Sequence, residues 1–132
     1  MRIYLILSFS LISLAYASDD IDLSTPESTL KGYIKCLEKG SESCVLKHLY
    51  DSKRFYIKEP SKISYKITKK IIYGAPETES WHSKGIIPAT KIGDIELNVE
   101  QEHWGKKNMY FYIMRKYDNK WYIISHVALG VD

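Results

Sequence analysis

The chain has 132 residues, with 19 Lys and Arg against 16 Asp and Glu; 45% of its residues are hydrophobic, 13% are aromatic, and two are cysteines. That length fits one domain, and so many aromatics exclude a disordered or collagen-like chain; a domain of this size buries roughly two-thirds of its unfolded surface. A net charge of +3, with Arg2, Arg54 and Arg115 the only three arginines, lacks the dense basic cluster that a nucleic-acid partner requires.

The first seventeen residues read as an export signal. Met1-Arg2 is a short positive start, Ile3 to Leu14 is apolar, and Ala15-Tyr16-Ala17 places small residues where a signal peptidase cuts, between Ala17 and Ser18. An apolar run of twelve is too short for a bilayer that needs about twenty residues. Removal of residues 1–17 takes Arg2 with it and leaves 115 residues of formal charge +2. No cysteine follows the cut to carry a lipid, and no other stretch is long and apolar enough to span a membrane. The expectation is a periplasmic or secreted protein, in which Cys36 and Cys44 meet an oxidising compartment and form a disulfide. A metal shared by Cys36, Cys44 and His48 would lack a clear fourth ligand. Neither a metal nor any other cofactor is expected.

Residues 18–23 form a polar, flexible lead-in, and residues 24–132 a single domain. Thr25-Pro26-Glu27 starts a helix, with a hydroxyl at the N-cap, proline where its missing N–H costs nothing, and a carboxylate at the positive end of the dipole. Leu30, Tyr33, Ile34 and Leu37 make its apolar stripe, and Gly40 closes it. Ser41 caps a shorter helix carrying Cys44, Leu46, Leu49 and Tyr50. The period then changes to two. Phe55-Tyr56-Ile57 suggests a short strand. Ile63, Tyr65, Ile67, Ile71 and Tyr73 alternate with polar residues in a longer one. Residues 74–90 make an irregular connection containing Trp81 and His82. Strands over Asp94–His103, Met109–Tyr117 and Lys120–Leu129 complete the chain.

Asp118-Asn119 fits a two-residue hairpin turn, which pairs Arg115 with Tyr122, Met114 with Ile123 and Ile113 with Ile124. A loop of two or four residues around Gly105 keeps the same parity in the preceding hairpin. One face then collects Leu97, Val99, Gln101, His103, Tyr110, Tyr112, Met114, Trp121, Ile123, Ser125, Val127 and Leu129, and should be the core. The other collects Glu96, Asn98, Glu100, Glu102, Phe111, Ile113, Arg115, Tyr122, Ile124 and His126. On that outer face Phe111, Ile113, Tyr122 and Ile124 form an apolar stripe rimmed by charges, the pattern of a covered surface.

Two candidate sites follow. Gln101, His103, Tyr110 and Tyr112, near one end of the inner face, bring hydrogen-bonding tips to apolar walls, as a ligand pocket does. The outer stripe around Phe111, Ile113, Arg115, Tyr122 and Ile124 suits a protein partner or a second copy. Arg115 is expected to form a cross-strand ion pair near Glu96, Asn98 and Glu100. Catalytic signals are sparse. Asp94, Glu96, Glu100 and Glu102 all fall on the outer face, so His103 is the main candidate base, with Asp51 or Glu59 from less defined positions. Phosphate-loop, nucleophile-elbow and zinc-protease motifs are missing.

The capped helix from Thr25-Pro26-Glu27 with Tyr33, the short second helix, and the long strands ending in Lys120-Trp121-Tyr122-Ile123-Ile124 resemble the nuclear-transport-factor-2-like (cystatin-like cone) superfamily, and within it small exported bacterial members of unknown function. The resemblance covers residues 24–130. It implies an α+β fold in which a long helix lies across a strongly curved antiparallel sheet. It also implies a pocket at the open end, adding Tyr33 to the pocket candidates, and dimerisation through the sheet. Enzymes of the superfamily carry an acid or an acid–histidine pair in the pocket, and the inward strands here show no matching acid. The reading is a non-catalytic exported binding module, using the pocket for a small apolar ligand or the outer face for a protein; an immunity-type protein neutralising a toxin is one form. The alternative is an isomerase- or dehydratase-type enzyme with His103 as base and Tyr110 or Tyr112 polarising a carbonyl.

Overall fold

The computed structural model describes residues 21–50, 61–74, 90–103 and 105–130. The expected export signal, residues 18–20 of the lead-in, the Phe55–Ile57 strand, Asp51, Glu59, and the 74–90 connection except Gly74 and Thr90 lie outside the described residues.

The fold is α+β, with two short helices and four antiparallel strands. Helix α1 spans Pro26–Lys39. Its start is a reciprocal cap: Thr25 Oγ1 accepts from the Ser28 N–H at 3.0 Å, and Ser28 Oγ accepts from the Thr25 N–H at 3.1 Å. Its end is Gly40 at φ 66°, a left-handed conformation that costs glycine nothing, from which the N–H reaches back to the Leu37 carbonyl at 3.0 Å. Helix α2, Glu42–Leu46, follows at once from its Ser41 cap, and Cys36 and Cys44 join the two as a disulfide.

The second helix is shorter than its apolar spacing predicts. It stops at Leu46, leaving Leu46 42% and Tyr50 44% exposed, while Val45, His48 and Leu49 are buried. Backbone pairing explains this. Residues 48–50 turn to run alongside the last strand, where the Ile123 N–H donates to the His48 carbonyl and the Tyr50 N–H to the Ile123 carbonyl.

Strands β1 (Ile63–Ile72), β2 (Ile95–His103), β3 (Lys106–Tyr117) and β4 (Lys120–Gly130) form a meander in that order, open rather than closed into a barrel. Asp118 and Asn119, at φ 50° and 63°, form the two-residue turn that the sequence indicates, because Asp and Asn tolerate the positive φ such turns demand. The loop between β2 and β3 also holds two residues, since His103 pairs with Lys106.

Two β-bulges alter the faces. One falls between Ile67 and Lys69. Before it, Ile63, Tyr65 and Ile67 belong to the main core; beyond it, Ile71 pairs with Glu96 and packs with Tyr73 on the other side, so the single alternating set read from sequence divides. The second falls opposite Ile113/Met114: Met114 pairs with Ile123 as expected, but Ile113 pairs with Ser125 rather than Ile124. An extra residue inverts all the parity that follows. Val127 therefore moves to the outer face beside Ile113, and His126 to the inner face against Tyr112, the reverse of the expected assignment. Ser125 and Leu129, opposite Ile113 and Met109, share the outward shift.

The main core joins Leu30, Tyr33 and Ile34 of α1 with Leu97, Val99, Tyr112, Met114 and Ile123 of the sheet. Burying one such aliphatic side chain contributes roughly 1.5–3 kcal/mol. A hydrogen bond from Thr29 Oγ1 to the Trp121 carbonyl, 3.0 Å, fixes the helix against the start of β4.

Candidate functional site

The inner-face candidates do come together. Tyr112 is 1% exposed, and its hydroxyl donates to Gln101 Oε1. Tyr33 meets the Tyr112 ring edge-on at 5.9 Å between centroids. Tyr110 stacks on one side of Tyr112 and His126 on another, each at 5.9 Å. Gln101 and Tyr33 are 5% and 4% exposed, so the deep end of this cluster is packed interior. Tyr110, His126 and Tyr65 are half-buried and form its outer part. His103 is half-buried at the end of β2, where its Nε2 shares a hydrogen bond with Ser61 Oγ.

Burial sets the charge state of this cluster. It pushes the Tyr33 hydroxyl up to about 12 and the Tyr112 hydroxyl well above the ordinary phenol value, and it holds the His126 imidazole below the usual range. All three are neutral near pH 7. The strands supply no carboxylate to this face among the described residues.

His126 is the member that sequence reasoning placed wrongly. Strict alternation assigns it to the outer face, and nothing in the composition of Ile124-Ser125-His126 marks the bulge.

The outer-face candidates separate. Ile113 has no exposed surface and forms a small second core with Tyr73, flanked by Ile71, Ile124 and Val127. Arg115 does form a cross-strand ion pair, but with Asp94 rather than Glu96 or Glu100: Nε donates to Oδ1 at 2.9 Å and Nη2 to Oδ2 at 2.8 Å. Glu96 is engaged elsewhere, accepting from the Tyr73 hydroxyl at 2.9 Å. Phe111, Tyr122 and Ile124 are half-buried. Tyr122 belongs to an aromatic group that the sequence does not reveal, with Tyr50 stacked on Tyr117 at 3.9 Å and Tyr122 tilted 5.8 Å from Tyr50.

Near the disulfide, His48 is 1% exposed. Its Nδ1 lies 2.9 Å from the Cys44 carbonyl, which can only accept, so Nδ1 carries the proton and Nε2 is a bare acceptor. That Nε2 is buried without a hydrogen-bond partner. Among the described residues no three His, Cys, Asp or Glu side chains are placed to hold a metal ion, and no described helix is long and apolar enough to cross a membrane.

No family model, no curated protein and no solved structure matches the chain.

Proposed function

We propose that the protein is an exported binding module that works without catalysing a reaction, and that it receives an uncharged or weakly polar group on the outer part of the inner-face cluster, at Tyr65, Tyr110, His103 and His126. The observation that carries this reading is the packing of Tyr33, Tyr110 and His126 around the buried Tyr112, on a face to which the strands bring no carboxylate among the described residues. Proton transfer is most efficient from a side chain whose pKa lies near the working pH. Burial moves Tyr33 and Tyr112 up and His126 down, away from that value. Hydrogen-bonding tips on aromatic walls suit recognition of an apolar ligand with few polar groups.

The cone of the nuclear-transport-factor-2-like superfamily is part of this proposal. The two bulges supply a physical means of bending the sheet, since a bulged strand bends and twists more strongly. Export through the residue 1–17 signal is part of it as well, with the Cys36–Cys44 disulfide as a compatible feature.

A second reading places a protein partner or a second copy on the outer face, favoured by the exposed Tyr50, stacked on Tyr117 and beside the tilted ring of Tyr122. An immunity-type role belongs to this reading. Affinity capture from the cell envelope with wild type, Tyr110→Arg and Tyr122→Glu separates the two. Loss of the captured species with Tyr110→Arg alone supports the inner site, and loss with Tyr122→Glu alone supports the outer face. Unchanged capture by both variants rejects both. The enzymatic alternative, with His103 as base, requires a turnover that His103→Gln abolishes while capture persists.

A further inference from the structure

The sheet has two edges, β1 and β4. Along β1, Lys66, Lys69 and Lys70 are exposed, and a bulge interrupts the strand between Ile67 and Lys69. Lysines and bulges are features that keep an edge strand from pairing with another chain. β4 is different. From Trp121 to Ile123 its open side is covered by the protein's own backbone, where Leu23, His48 and Tyr50 bond to it. From Ile124 to Leu129 the strand has no charged residue and no proline, and its pairing with β3 is regular from Ser125 onward.

The direction of the backbone groups on that stretch follows from the register. In an antiparallel ladder, successive residues point their N–H and C=O alternately at the neighbouring strand and away from it. Ile123 points away from β3, since its N–H and C=O bond to His48 and Tyr50. The bulge absorbs Ile124, so Ser125 points at β3 opposite Ile113, and His126 and Ala128 point away from it. Among the described residues no backbone group bonds to either of them on that open side. An edge with such a row of open donors and acceptors is a template for a further strand.

We infer that a second copy of the chain docks on this edge, β4 against β4 in antiparallel fashion about a two-fold axis at Ala128, so that one sheet continues through both copies. The residues choose this occupant. A strand centred nearer Ile123 would run into residues 48–50, which already cover that end. Centred on Ala128, His126 of each copy lies opposite Gly130 of the other and Val127 opposite Leu129, so no Asp, Glu, Lys or Arg meets its own kind across the junction. Leu129 is exposed in the single chain, while Val127 packs beside Ile113 and Tyr73; the pairing extends that small core across the junction to cover Leu129. The surface is an edge, distinct from the rings of Tyr50, Tyr117 and Tyr122, and the inference does not rest on the function proposed above.

The test is sedimentation equilibrium of the purified protein, joined to amide hydrogen exchange read by NMR. So short an edge makes a small interface, and the dimer is expected to dissociate reversibly with a Kd of roughly 10–100 µM. Exchange of the His126 and Ala128 amides should slow as protein concentration rises through that range. Ala128→Pro removes an N–H that makes no bond to β3, so the single chain keeps its ladder, whereas the symmetric pair at residue 128 loses both its bonds. Leu129→Lys places a guarding charge at an exposed position. Each variant should weaken dimerisation at least about tenfold with an unchanged far-UV circular dichroism spectrum. A protein that stays monomeric up to about 1 mM, or a dimer that neither variant weakens, overturns the inference. A dimer that Tyr122→Glu disperses and Leu129→Lys leaves intact belongs to the outer face and overturns it as well.

Discussion

Asp94 and Arg115 meet in a two-pronged ion pair across neighbouring strands, with the aspartate side chain 2% and the arginine side chain 17% exposed. The Lys91 N–H adds a third donor to the carboxylate at 2.7 Å. The pair closes the outer face beside Ile113 and ties the entry of β2 to β3. Its energetics are asymmetric, because removing one partner strands a buried charge, whereas removing both does not. Arg115→Leu is expected to cost about 3–5 kcal/mol in urea denaturation, and Asp94→Leu/Arg115→Leu less than Arg115→Leu alone. A double variant no more stable than the single one would contradict this.

Gly32 supplies a test in which two effects have opposite signs. Alanine is favoured over glycine inside a helix by about 1 kcal/mol. Here the added Cβ would meet His48 Nε2 at 2.5 Å, on a ring that its bond to Cys44 prevents from yielding. Overpacking of this kind costs typically about 1–3 kcal/mol, so Gly32→Ala should destabilise the protein. In a His48→Ala background the clash is gone and the same change should stabilise. Thermal melts of the four proteins in this cycle decide the matter.

The pH dependence of stability follows from two buried imidazoles. Burial holds both His48 and His126 below the ordinary histidine value. Well above a pH of about 6.5 both rings are neutral in the folded and unfolded chains, and their contribution is fully present. As pH falls below about 6.5 the unfolded chain takes up protons that the folded chain refuses, and stability declines until the folded pKa values are passed. The slope is at most about 1.4 kcal/mol per pH unit for each ring. His126→Phe should remove one ring's share. Denaturation midpoints of wild type and variant, compared between pH 7.5 and 5, should diverge as the pH falls; parallel curves would reject the assignment.

The Cys36–Cys44 disulfide closes a short loop, its cysteines eight positions apart. Chain-entropy reasoning gives such a loop about 2–3 kcal/mol. The variant Cys36→Ala/Cys44→Ala should lose that amount. Mass spectrometry should show wild type gaining two hydrogens on reduction, and two alkylatable thiols in the unreduced protein would exclude the bridge.

Much of this molecule follows from local chemistry. The Thr25 cap and Pro26, the left-handed Gly40 and the Asp118-Asn119 turn each depend on a few adjacent residues, and each is found where the sequence places it; of the two or four residues allowed for the loop at Gly105, the structure has two. The pairing of Met114 with Ile123 and Arg115 with Tyr122 follows from the turn alone, because a two-residue loop leaves no freedom of register near it. The gathering of Gln101, Tyr110 and Tyr112 on one face follows from the parity of the Gly105 loop, and Tyr33 joins them through the packing of α1 on the sheet.

Only the tertiary structure decides what lies beyond the bulges. An inserted residue reverses the parity of every position after it, so one irregularity exchanges His126 with Val127 and changes the composition of both candidate surfaces. The early end of α2 has a similar origin, since a distant strand, β4, offers the backbone of residues 48–50 better hydrogen bonds than another helical turn would. The choice of Asp94 for Arg115, and the close approach of His48 to Gly32, depend on the distance between segments far apart in sequence. Periodicity describes the faces of one element, and the position of one element against another is set by packing.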